Sequence, residues 1–117
     1  MSQLARVSEE AVGDVAVVAI AGEIDASNAG PLGARLRSAL SNRSVALVVD
    51  LGDTAYLDSA ALNLLFELDA DLRGRRQRLH LLVPPAAPAA RLLAISGVAA
   101  AIRTHATREA ALAAAGA

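Results

Sequence analysis

The 117-residue chain has no cysteine, no lysine and no tryptophan, and holds one phenylalanine and one tyrosine. Without cysteine there are no disulfides and no thiolate metal sites. A phosphate-binding P-loop needs a lysine, so that motif is excluded, and no G-x-G-x-x-G turn is present either. Long apolar runs are missing as well. The longest strongly apolar one, VAVVAIA (15–21), is far below the roughly 20 residues of a membrane span. The start, MSQLARVSEE, turns acidic early and lacks the apolar stretch of a signal peptide. A cytoplasmic protein without direct membrane insertion is expected. The formal net charge is −1, without the positive surplus that displaces counterions from nucleic acid, so no nucleic-acid partner is expected.

Hydrophobic residues make up 55% of the chain but aromatics only 2%, so the core must be built from Ala, Leu, Val and Ile. At this length one domain over 1–117 is expected, burying about two thirds of its unfolded surface. All eleven basic residues are arginine, a usage that fits a GC-rich, bacterial genome.

DVAVVAIAGEID reads as a buried strand closed by Gly22, and VALVVDL (45–51) as a second strand covered on both faces. Between them DASNAGPLGARLRSALSN (25–42) has helix-start residues in Asp25, Ser27 and Asn28, with Leu32, Leu36 and Leu40 at spacings of four. GDTAYLD reads as a loop, and a helix then runs from Ser59 to about Arg73, ended by Gly74. RLHLLV (78–83) is a third strand. Pro84, Pro85 and Pro88 interrupt regular pairing, and Pro88 suits the first turn of a short helix ending near Gly97. AAIRTH supplies a last short strand, and an alanine-rich helix over about 107–115 is capped by Thr107. An edge strand at Leu4–Ser8 would precede them all. The alternation predicts an α/β fold, with a mixed, largely parallel sheet of four to five strands and about four helices.

Catalytic chemistry is sparse. His80 falls inside a strand and His105 near the last turn. A nucleophilic Ser59 would need one of them as base, and no third residue is there to orient it. Asp53 and Asp58 flank one loop, an arrangement common in strand-to-helix connections and not by itself a metal site. No enzyme activity, metal or cofactor is expected. The arginine run RGRRQR (73–78) reads as a solvated helix end, where cations favour the negative end of the dipole. Its alternative reading, with the sheet-end loops, is a small-ligand or nucleotide-binding module using Arg75 and Arg76.

The helix from Ser59 carries more. Ala61, Leu65, Leu68 and Leu72 fall on one stripe, whereas Leu62 and Phe66 lie about 100–140° away with Asp69 and Arg73 on the same edge. The only phenylalanine thus points away from the core stripe, either to cover a neighbouring element or to anchor a partner, with Asp69 and Arg73 as rim. Ser59 stands at the N-terminal end of that edge. A phosphate there would meet free N–H groups and the helix dipole, and would add charge beside Asp58.

Three stretches carry a family likeness: GEID (22–25), VVDLGDTAYLDSAALNLL (48–65) and RLLAISGV (91–98). The chain resembles a STAS domain, the fold of bacterial anti-sigma factor antagonists, over essentially its whole length. The resemblance implies that Ser59 is the phosphorylated serine, Asp58 its preceding acid and Asp25 the acid of the neighbouring loop. It implies as partners an anti-sigma factor with serine kinase activity and a serine phosphatase, ATP belonging to the kinase. Ala60 and Ala61 stand where the family usually has a small residue and a glycine. STAS domains also serve as non-switching subunits of stress-signalling scaffolds and lipid-transport ABC systems, a reading in which Ser59 is only a helix cap. A homodimer stays open too, because a partner edge and a self-association edge look alike in sequence.

Overall fold

Strands β1 (Ala5–Val12) and β2 (Val15–Ile24) form an antiparallel hairpin in the computed structural model, which describes residues 4–117. Val12 pairs with Val15, leaving Gly13 and Asp14 as the turn, and Gly13 takes the positive φ of 59° that such turns require. The edge strand therefore runs past Ser8 through Glu9 and Glu10. An edge strand is held by backbone bonds on one side and can be largely polar, so the acidic pair concealed it.

Strand β3 (Ala46–Asp50) lies parallel to the first half of β2, from Val15 to Ala19. Because β2 is ten residues long and β3 only five, the second half of β2 would be left with a bare edge. Strand β4 (Thr54–Leu57) fills it, pairing with Gly22–Ile24. This is the stretch read as a loop. Its alternation of buried Thr54 and Leu57 around exposed Ala55 and Tyr56 is too short for a periodic signal. Strands β5 (Arg78–Leu82) and β6 (Arg103–His105) complete a six-stranded sheet of order β1-β2-β3-β5-β6, with β4 beside β2. Every pairing after the hairpin is parallel. The mixed, largely parallel α/β architecture expected from the alternation is the one that forms, with a longer β1 and the added β4.

Helices α1 (Ala29–Ser38), α2 (Ser59–Gly74), α3 (Ala90–Ile95) and α4 (Val98–Ala101) cover one sheet face, and α5 (Arg108–Ala115) lies on the other. The short helix expected to end near Gly97 is α3. After Gly97, at φ 89°, a further helical turn, α4, takes the first residues of the stretch read as the last strand, which leaves β6 only Arg103–His105. On the first face Val18, Ile20, Leu47, Val49, Leu79 and Leu81 meet Leu36, Leu68, Leu72 and Leu93. On the second, Val15, Val17, Ala46, Val48 and Leu82 meet Ala111 and Ala115. Coverage on both faces is why these strands are continuously apolar. Each fully buried Leu or Val contributes about 1.5–3 kcal/mol of transfer free energy.

Two glycines set the geometry around α2. A Cβ on Gly33 would stand 2.8 Å from Leu64 Cδ1, so α1 approaches α2 at backbone distance. Gly74 remains helical, and the chain turns instead at Arg76, with φ 60°, where the Gln77 amide donates to Leu72 O at 2.8 Å. Gln77 then donates its side-chain amide to Ser41 O and Ser44 O, both at 3.0 Å, tying the loop after α2 to the loop after α1. Among the described residues no helix is long and apolar enough to cross a membrane.

Candidate functional site

The site is assembled where β2 and β4 end and α1 and α2 begin. Gly22 sits at a register shift between β2 and β4 with φ 105°, and a Cβ there would lie 2.3 Å from Leu4 O. Only glycine allows β1 so close. The shift returns Ile24 to the core and releases the chain into the loop at Asp25.

That loop is a closed hydrogen-bond circuit. The Asp25 amide donates to Asn28 Oδ1 at 2.9 Å, and the Ala29 amide donates to Asp25 O at 2.9 Å. Asn28 Nδ2 donates to Glu23 O at 2.8 Å. Ser27 gives both its hydroxyl and its amide to Asp25 Oδ1 and so holds the Asp25 carboxyl below the usual aspartate range. Asp25 to Asn28 therefore form a turn, and α1 starts at Ala29, four residues later than its first capping candidate.

Asp58 caps α2. Its Oδ1 accepts from the amides of Ala60 at 2.9 Å and Ala61 at 3.2 Å, and its Oδ2 accepts from the Ala26 amide at 3.3 Å. The cap is thus the acid, not the serine that follows it. Ser59 is the first helical residue, exposed, and its hydroxyl makes no hydrogen bond among the described residues. Two of the amides that a phosphate on Ser59 would otherwise use are already filled by Asp58.

Along α2, Ala61, Leu65, Leu68 and Leu72 are all 3% exposed or less, as their stripe predicts. Leu64 is buried too, because α1 comes close at Gly33. Leu62 is half-buried against the main core, while Phe66 keeps 38% of its surface exposed. Asp69 and Arg73 pair with each other at 3.2 Å, and Arg73 also donates to Ala101 O at 3.3 Å. They form one ion pair fastened to the end of α4, so the edge narrows to Ser59, Leu62 and Phe66 with this pair below them.

The other candidates lie apart. His80 is 2% exposed on β5, with Nδ1 3.0 Å from Nε2 of His105 on β6. Burial pushes the His80 pKa down, reinforced by His105, Arg103 and Arg78, and burial with Arg103 lowers that of His105. These histidines occupy the sheet face opposite α2, away from Ser59. Arg75 and Arg76 are exposed at the far end of α2. Among the described residues no three His, Asp or Glu side chains are grouped to hold a metal ion. Val45, read as the start of a strand covered on both faces, is 43% exposed just before β3. Two further exposed apolar side chains escaped the sequence reading: Tyr56 at 52% on β4 and Ile95 at 74% at the end of α3. Their outward direction follows from elements too short to show a period.

Residues 7–114 match the family model described as Mlab, STAS domain. No curated protein sequence matches the chain. Among solved structures, the chain is 25% identical to an anti-sigma factor antagonist from Mycobacterium paratuberculosis, with TM-score 0.82 over 95% of this chain and 93% of that one. It is 18% identical to the Bacillus cell-fate determinant SpoIIAA in its phosphorylated form, with TM-score 0.64 over 93% and 98%. It is also 18% identical to a sulfate transporter family protein from Wolinella succinogenes, with TM-score 0.70 over 89% and 86%.

Proposed function

We propose that this chain, which belongs to the STAS domain family, acts as an anti-sigma factor antagonist and so regulates transcription. In this reading it binds an anti-sigma factor that is also a serine kinase, and phosphorylation of Ser59 ends the complex until a serine phosphatase resets it. Its work is regulated binding, with ATP held by the partner. The carrying observation is the exposed, unbonded hydroxyl of Ser59 at the mouth of α2, beside the apolar edge of Leu62 and Phe66. Likeness to the mycobacterial antagonist over nearly the whole of both chains supports it.

The physics of the switch is electrostatic. A phosphate brings about 1.5–2 negative charges. Asp58 already occupies the amides of Ala60 and Ala61, so the added charge stands outward, at the border of the edge. A partner that covers Phe66 would have to desolvate it or be repelled by it. The fold need not change.

A second reading, a non-switching STAS subunit of a scaffold or lipid-transport ABC system, draws on Ala60 and Ala61, which stand where the family usually has a small residue and a glycine. Likeness in fold to the Wolinella transporter-family protein is compatible with it. Intact-mass analysis of the protein from its native cells, with fragment mapping, separates the two. Phosphate on Ser59 under some growth or stress condition upholds the switch, whereas an unmodified chain under every condition, co-isolating with transporter components, replaces it with the second reading.

A further inference from the structure

The sheet face opposite α2 is only partly roofed by α5. Beyond the roof is a cleft of about 200 Å³ whose floor is Ala19 and Ala21 of β2. Strand register fixes its walls. Ser8 and Asp50 flank Ala19 on its two sides, and Arg6 lies across from Ala21 on the β1 side. Asp53 follows on the other side, its carbonyl accepting the Gly22 amide at 3.1 Å. One wall therefore carries a guanidinium and a hydroxyl, the other two carboxylates.

Opposite charges on a sheet surface ordinarily close on each other. One rung away they do: Arg108 at the start of α5 reaches Glu10 of β1 at 2.8 Å. Arg6, Asp50 and Asp53 do not. Among the described residues none of the three forms an ion pair. Asp50 uses Oδ1 to accept the Gly52 amide at 2.9 Å, which leaves Oδ2 without a partner. Arg108 is near enough for its charge to sense Asp50, but its guanidinium is engaged by Glu10. The walls stand on the two neighbours of β2, and the two alanine side chains between them fill little of the space. The position, at the carboxyl end of parallel β3, is where α/β sheets commonly hold ligands.

We propose that this cleft binds a small zwitterion, a molecule with a primary ammonium a few bonds from a carboxylate or phosphate. The anionic end would pair with Arg6, in the two-pronged geometry that guanidinium favours, and accept from Ser8. The ammonium would lie between Asp50 and Asp53. At about 200 Å³ the space is below the usual range of drug-sized pockets and fits an amino acid or an ethanolamine phosphate. The latter exists free and as a phospholipid headgroup, and the chemistry recognised is the same. The proposal is independent of Ser59, which lies on the other side of the sheet.

The test is an amide-detected NMR titration of the full chain with glycine, L-serine and O-phosphoethanolamine, and, in parallel, co-sedimentation with phosphatidylethanolamine vesicles. Acetate and methylammonium serve as single-charge controls. Saturable shifts at Ala19 and Ala21, at least about tenfold tighter than for either control, are expected. Arg6→Gln and the pair Asp50→Asn/Asp53→Asn should each weaken binding about tenfold or more while leaving the melting temperature close to that of the parent. Saturation by soluble zwitterions assigns a free ligand, and vesicle binding lost in Arg6→Gln without a soluble response assigns the headgroup; either upholds the site. No saturable response to any of them, equal response to acetate alone, or binding that survives Arg6→Gln overturns it.

Discussion

Asp58 reaches 32 residues back along the chain to accept the Ala26 amide with one carboxylate oxygen, while the other holds Ala60 and Ala61. The start of α2 and the loop leading into α1 are thereby one unit. Asp25 keeps that loop closed through Ser27 and Asn28. Ser59 stands on this rigid base without contributing to it.

Asp58 caps α2 while the Ser59 hydroxyl makes no hydrogen bond among the described residues, so the two should differ in what they contribute to stability. Asp58→Ala should cost about 1–2 kcal/mol, since it removes a cap and a link between two loops. Ser59→Ala should stay within about 0.5 kcal/mol, the range of surface changes. Thermal denaturation of both variants decides it, and a Ser59→Ala loss as large as that of Asp58→Ala would make the serine structural.

On α2 the two sides of the helix should respond differently. Leu68→Ala, at 0% exposure, should cost about 2–5 kcal/mol. Phe66→Ala should cost much less in stability and instead weaken capture of the proposed anti-sigma partner, by roughly tenfold for a central apolar anchor. Chemical denaturation beside a binding titration distinguishes the two effects.

Gly22→Ala tests the bulge that releases Asp25. An alanine there must hold φ near 105° and meet Leu4 O at 2.3 Å. The strain and displacement together should cost about 2 kcal/mol or more. Increased hydrogen exchange at Glu23, whose amide donates to Leu4 O at 2.9 Å, would accompany the loss.

The histidine pair predicts a pH dependence. Both folded pKa values are lowered from 6.5, chiefly by burial. The unfolded chain therefore binds protons first as pH falls, and stability present above about pH 6.5 is lost below it. Second protonation would also set two N–H groups against each other across the 3.0 Å His80–His105 contact. A melting temperature that declines as pH falls from 7 towards 5, with a shallower decline in a His80→Gln/His105→Gln double variant, is the expected result. Asp25 adds a separate loss only below its ordinary value of 3.8, because its folded pKa is lowered.

Much of this protein follows from local chemistry that the sequence states by itself. The continuous Val and Leu runs of β2, β3 and β5 require cover on both faces, and their alternation with helices dictates a largely parallel sheet. The spacing of Ala61, Leu65, Leu68 and Leu72 chooses the buried face of α2 and turns Phe66 outward. Tertiary structure decided what depends on neighbours distant in the chain. β4 exists because β2 outruns β3, a mismatch of lengths that no local pattern in TAYL records. The cap fell to Asp58 because its second oxygen can also reach Ala26, which leaves the Ser59 hydroxyl free. The opposed charges of Arg6, Asp50 and Asp53 were visible only as scattered residues. Strand register set them on opposite sides of β2, with only two alanine side chains on the floor between them.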